Sequence, residues 1–118
     1  MPFEQHKEKN YPKDAQSIYE AAHKATERLD GKIISAKPDQ LTFTARFPKV
    51  ILGKTLGERT ELSCVIRPGD DGGIIVVDAF PLDAVERKLM FGARPGVTAT
   101  VVTWFIAHLE NLLGIPTG

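Results

Sequence analysis

A single cysteine, Cys64, leaves this sequence no partner with which to close an internal disulfide. No stretch approaches the roughly 20 consecutive apolar residues of a membrane-spanning helix, and the N-terminal MPFEQHKEKNYP lacks the apolar core of a secretory signal. A cytoplasmic protein with no membrane span is the simplest expectation. An excess of charge of one sign is also missing. With 15 Lys plus Arg against 15 Asp plus Glu, the chain has no net field to draw in polyanions, so nucleic acid is excluded as a default partner. The one local excess, RFPKVILGKTLGER at residues 46–59, reads as a solvated loop, because phosphate contact needs several cations on one surface. Internal repeats and low-complexity segments are absent as well.

What is present is ordinary globular composition, 42% apolar and 25% charged over 118 residues. A chain of this length forms one domain, residues 1–118, and buries roughly two-thirds of its unfolded surface. Residues 3–9 are short, charged and weakly alternating, as in an edge strand. After Tyr11-Pro12 a helix starts at Asp14 or a neighbour and ends at Asp30-Gly31, where Gly31 suits the left-handed cap position. Its Ile18, Ala22, Ala25 and Leu29 fall on one stripe.

Strands follow. KIISAK leads through Pro38-Asp39 to a segment in which Leu41, Phe43, Ala45 and Phe47 alternate with Thr42, Thr44 and Arg46, the period of a half-buried strand. Residues 61–67 alternate again, with Leu62, Cys64 and Ile66 on one face, and PGDDGG turns them into IIVVDAF. Four consecutive antiparallel strands result. Pro81 is expected to end the last. LDAVERKLMF, residues 82–91, then reads as a short helix with Asp83 and Glu86 at capping-box spacing, as an irregular segment, or as one more strand.

The last element poses a conflict. Thr98, Thr100, Val101, Val102 and Thr103 are β-branched and together cost a helix about 2 to 3 kcal/mol. Val101, Val102, Phe105, Ile106, Leu109, Leu112 and Leu113 nevertheless keep helical spacing, and burying each is worth roughly 1.5 to 3 kcal/mol before entropy is subtracted. Packing wins, and the spacing predicts a helix from about residue 97 to 113. Those seven side chains span an arc of about 140°. The only tryptophan, Trp104, falls outside it with Thr100, Ala107 and Asn111, and His108 lies one turn below. Either Trp104 sits under a loop or the N-terminal segment or is simply half exposed, or it anchors a partner or homodimer surface.

YPKDAQSIYEAAHKAT at the first helix, the GERTELSCVI strand and FGARPGVTATVVTWFIAHLENLL at the end resemble small bacterial domains with a long C-terminal helix and no assigned activity. Those in turn resemble a shortened helix-grip domain of the START and polyketide-cyclase-like kind. The resemblance covers nearly the whole chain and rests on pattern, not on a diagnostic motif. It implies a curved antiparallel sheet wrapped on a C-terminal helix, with an apolar ligand between them.

Chemical motifs are mostly imitations. Gly53-Lys54-Thr55 looks like the end of a phosphate-binding loop, but Pro48 stands where the required glycine belongs. Glu4, His6 and Glu8 share a strand face as metal ligands can, but a charged edge that discourages aggregation is the preferred explanation. Cys64 sits at an inward position as a structural thiol, His23 is expected to be solvated, and Asp78 to face water or cap the next turn. No G-x-S-x-G elbow surrounds any serine. GARPGVT, residues 92–98, is a Gly-rich loop feeding a helix, in which Arg94 can meet a carboxylate or phosphate or simply pair with an acidic neighbour.

The fold class is therefore α+β, an antiparallel sheet of four or more strands with an N-terminal helix and a long C-terminal helix packed on one face. The preferred function is a non-enzymatic module binding a small apolar or amphipathic ligand between sheet and C-terminal helix. The alternative is a protein-interaction or self-assembly domain using that helix's outer face. Catalysis has the least support, since no acid, base and nucleophile cluster together. Binding candidates are Arg94, Thr98, Trp104 and His108, with no catalytic residue, metal or cofactor expected.

Overall fold

The structure, a computed structural model, describes residues 4–83, 85, 87–89 and 96–115. Five antiparallel strands form the main sheet in the order β1 (Gln5–Tyr11), β7 (Gly72–Leu82), β6 (Arg59–Gly69), β3 (Thr42–Phe47) and β2 (Lys32–Lys37). A separate two-stranded hairpin joins β4 (Val50–Ile51) to β5 (Lys54–Thr55). Two helices, α1 (Ala15–Arg28) and α2 (Val97–Leu113), pack on one face of the sheet. Charged β1 does lie on a sheet edge, paired with β7 from Gln5 opposite Ala79 to Tyr11 opposite Gly73.

Alternation fixes which face is buried. Phe43 pairs with Cys64 and Cys64 with Val77, so inward residues of three strands lie side by side. All three are buried, and the Cys64 thiol is fully enclosed, which pushes its pKa far above the ordinary range. Ser63, Val65 and Asp78 point to the opposite face.

Asp14 caps α1, its carboxylate accepting from Ser17 N at 3.1 Å and Ser17 Oγ at 2.7 Å. Ile18, Ala22, Ala25 and Leu29 have no exposed surface at all. The exit differs from expectation, since Asp30, not Gly31, takes the left-handed conformation, with φ 63°. Aspartate tolerates that region, and the Asp30 carboxylate accepts from Leu52 N at 3.0 Å. Gly31 is needed for space instead, because a Cβ there would lie 2.7 Å from both the Phe47 ring and the Thr26 methyl. His23 is half-buried, not solvated, with its ring centroid 5.2 Å from that of Phe43.

Pro81 does not stop β7, which runs on to Leu82 with Pro81 opposite Thr60. Among the described residues β1 reaches no further than Gln5 opposite Ala79, and beyond that point one side of β7 has no described strand neighbour. The Pro81 carbonyl on that side accepts from Leu89 N at 2.8 Å, and a proline there forfeits no ladder bond. In the described part of residues 82–91 the chain makes a tight return and not a helix. Asp83 Oδ1 accepts from Val85 N and Arg87 N, both at 2.9 Å, and Leu82 bridges to Lys88. Glu86 lies outside the described residues.

A polar link joins the first strand to the last helix. Glu110, 3% exposed on α2, accepts at 2.7 Å from both Tyr11 Oη and Lys9 Nζ. Burial, and then the bond to this carboxylate, holds the Tyr11 phenol far above its ordinary pKa.

Candidate functional site

α2 begins after Gly96, in the left-handed conformation at φ 83°, and spans residues 97–113 as its apolar spacing predicts. Val101, Val102, Phe105 and Leu109 are at most 1% exposed and face the sheet. Together with Phe47, Leu62, Ile75 and Val77 they occupy the described part of the space between sheet and helix, so Phe105 is core and not ligand wall. An open cleft lies on one flank of α2. Its volume is about 240 Å³, and Ile51, Leu52, Lys54, Trp104 and His108 line it.

The hairpin makes this cleft. Residues 46–59 are not simply a solvated loop, because Ile51 is completely buried in the main core. A two-residue turn at Leu52-Gly53, with φ 49° and 79°, reverses the chain and sets Leu52 and Lys54 beyond the buried anchor. Leu52 is 57% exposed. On the helix side, Trp104 lies about 60° beyond the edge of the apolar arc and His108 only about 20° beyond it, at 100° per residue. Both therefore occupy a flank of α2, and Trp104 packs half-buried against the core under the hairpin. The structure thus places Trp104 beneath the segment read as a loop.

Besides the Trp104 indole, two polar side chains in the cleft lack protein partners among the described residues. His108 Nδ1 is buried without a hydrogen bond. Its Nε2 also has no protein partner, and it is not enclosed, so it is the ring nitrogen open to solvent or a ligand. Lys54 is exposed at the rim with no ion-pair partner. By contrast Asn111 Oδ1, expected on the same face, is turned to Arg28 Nη1 at 3.1 Å.

A larger hollow of about 480 Å³ over the end of β1 and β7 is chemically closed on itself. There His6 Nδ1 meets Asp78 Oδ1 at 2.6 Å, His6 Nε2 meets Glu8 Oε2 at 3.3 Å, and Lys88 pairs with Glu4. The bond to Asp78, and then that to Glu8, raises the His6 pKa, and Asp78 faces water. No group of three or more metal-ligating side chains occurs among the described residues.

The candidates from sequence divide accordingly. Trp104 and His108 are brought together, as i and i+4 positions on one helix must be. Thr98 is buried in the first turn of α2, 5% exposed, and does not line the cleft. Arg94 and most of the GARPGVT loop lie outside the described residues. Sequence reasoning missed Ile51, Leu52 and Lys54, for which the available signal was the Leu52-Gly53 dipeptide between two short extended pairs.

No protein-family model matches the chain, and no curated protein matches it either. Solved structures do. Ara h 8.0201 superposes with a TM-score of 0.64 at 11% identity, covering 94% of this chain and 97% of that one. Protein MLL2253 from Mesorhizobium loti gives 0.61 at 14% identity over 94% and 96%. The di-domain ARO/CYC BexL from the BE-7585A biosynthetic pathway gives 0.57 at 9% identity, this chain spanning 46% of its length. These likenesses establish an α+β helix-grip fold of the kind shared by Bet v 1-like and polyketide-cyclase-like proteins. Among the described residues no helix is long and apolar enough to cross a membrane.

Proposed function

We propose that the chain is a non-enzymatic module that binds a small amphipathic ligand in the cleft between the β4–β5 hairpin and the flank of α2. The observation that carries this reading is the pairing of an indole wall, Trp104, with an imidazole, His108, that has no protein partner in a cleft otherwise walled by Ile51 and Leu52. Ligand sites combine a mostly apolar lining with a few polar groups that fix orientation. The helix-grip fold is in keeping with a ligand-binding role, though fold alone does not carry function.

Leu52 adds a second line of support. A leucine in the left-handed region costs roughly 1 to 2 kcal/mol, and more than half of this one is in water, so neither local geometry nor burial accounts for it. A ligand covering it does. The lining residues include no carboxylate and no hydroxyl or thiol nucleophile, which favours binding over turnover.

Native mass spectrometry of gently purified protein tests the proposal. An adduct of a few hundred daltons or less, lost on denaturation and absent from Trp104→Ala, is expected. A bare protein, together with Trp104 emission unmoved by any of a series of phenylalkanoates and short fatty acids, overturns it.

A further inference from the structure

Resting on that cleft, we infer that its ligand is an anion, a small carboxylate with a single-ring or short aliphatic body. Besides the Trp104 indole N–H, itself a donor, the polar side-chain groups at the site are Lys54 Nζ and the open His108 nitrogen, and both can donate. Neither has a protein acceptor among the described residues. Asp30 accepts the Leu52 N–H at 3.0 Å and is not among the lining residues. A site whose side-chain donors include a cation, with no anionic group among its described lining residues, favours an anionic head over a neutral or cationic one.

Size narrows the class. A volume of about 240 Å³ lies below the roughly 300 Å³ at which pockets for drug-sized ligands begin. That admits one ring or a short chain lying against Trp104 and Leu52, with the carboxylate turned toward the rim. Trp104 stacks on a planar body and Leu52 closes over its edge.

The chain's sole tryptophan lies in the cleft wall, so its emission reports occupancy directly. Titration with 3-phenylpropanoate and with its neutral isostere 3-phenylpropanamide, at 20 mM and at 500 mM salt, compares the heads on one body. The acid is expected to bind at least about fivefold more tightly at low salt, with the gap shrinking at high salt. Lys54→Met, at an exposed position, and His108→Leu should each reduce the preference to about twofold or less while amide binding persists. Equal affinity for acid and amide overturns the anion assignment and leaves the cleft reading standing. A preference for the acid that survives both substitutions overturns the roles given to Lys54 and His108. Emission that neither probe moves overturns the cleft reading and the anion inference together.

Discussion

Tyr11 donates its phenolic hydrogen to the buried carboxylate of Glu110 at 2.7 Å, tying the first strand to the last helix. Lys9 donates to the same oxygen at 2.7 Å. Removing one partner of a buried charged network leaves the other unsatisfied, which costs more than the pair contributes. Tyr11→Phe should therefore destabilise by about 1 to 2 kcal/mol, and Glu110→Ala by about 3 kcal/mol or more, in urea unfolding at pH 7. If Glu110→Ala loses less than Tyr11→Phe, the carboxylate is not the centre of this link.

Stability should fall at alkaline pH. Tyr11 and Cys64 both have pKa values raised in the folded state above ordinary values of 10.0 and 9.0, by burial first in each case. For a raised group the stabilisation is complete below the unfolded value and is lost as pH climbs toward the folded one. The unfolding free energy should thus hold level to about pH 9 and then drop, each such group adding up to about 1.4 kcal/mol per pH unit. Tyr11→Phe should flatten the descent above pH 10 but not abolish it, because Cys64 remains and Tyr19 is also raised. A descent of undiminished slope in Tyr11→Phe would sink the assignment.

Much of the scaffold was legible because it obeys a period. Phe43, Ala45 and Phe47 announce their strand, and the apolar arc of α2 outweighs five β-branched residues that individually prefer extended chain. The parts that escaped have no period to show. β4 and β5 are two residues each, too short for alternation, so the complete burial of Ile51 left no trace in the local pattern. Glu110 sits just outside the apolar arc, where a charge ordinarily means solvent. Its partner Tyr11 is 99 residues away in the chain, a separation that hides the pairing from any window of sequence. The site split along the same line. Trp104 and His108 were visible as one helical pair, whereas the hairpin wall opposite them was not.

Gly31→Ala separates space from conformation. At Gly31 the backbone is not left-handed, and a methyl there meets the Phe47 ring and the Thr26 methyl at 2.7 Å. Overpacking of this kind should cost about 1 to 3 kcal/mol, whereas helix-exit conformation alone predicts no loss. Pairing Gly31→Ala with Phe47→Leu, which opens room at the clash, should recover part of the deficit relative to the sum of the single changes. Strict additivity in that double-mutant cycle would show that the Phe47 contact is not the cause.

Leu52→Asn sets stability against binding at the hairpin tip. Asparagine is far more at ease than leucine in the left-handed region, and Asn-Gly is the preferred pair for a two-residue hairpin turn. With Gly53 already in place at φ 79°, the substitution should raise stability by about 0.5 to 1 kcal/mol, since Leu52 has little burial to lose at 57% exposure. The same change removes an apolar wall of the cleft, so affinity for 3-phenylpropanoate should fall several-fold even as the protein becomes harder to unfold. That opposition is what distinguishes a residue held for a ligand from one held for the fold. Loss of stability in Leu52→Asn would mean that the leucine serves the hairpin itself, and binding that strengthens along with stability would remove Leu52 from the site.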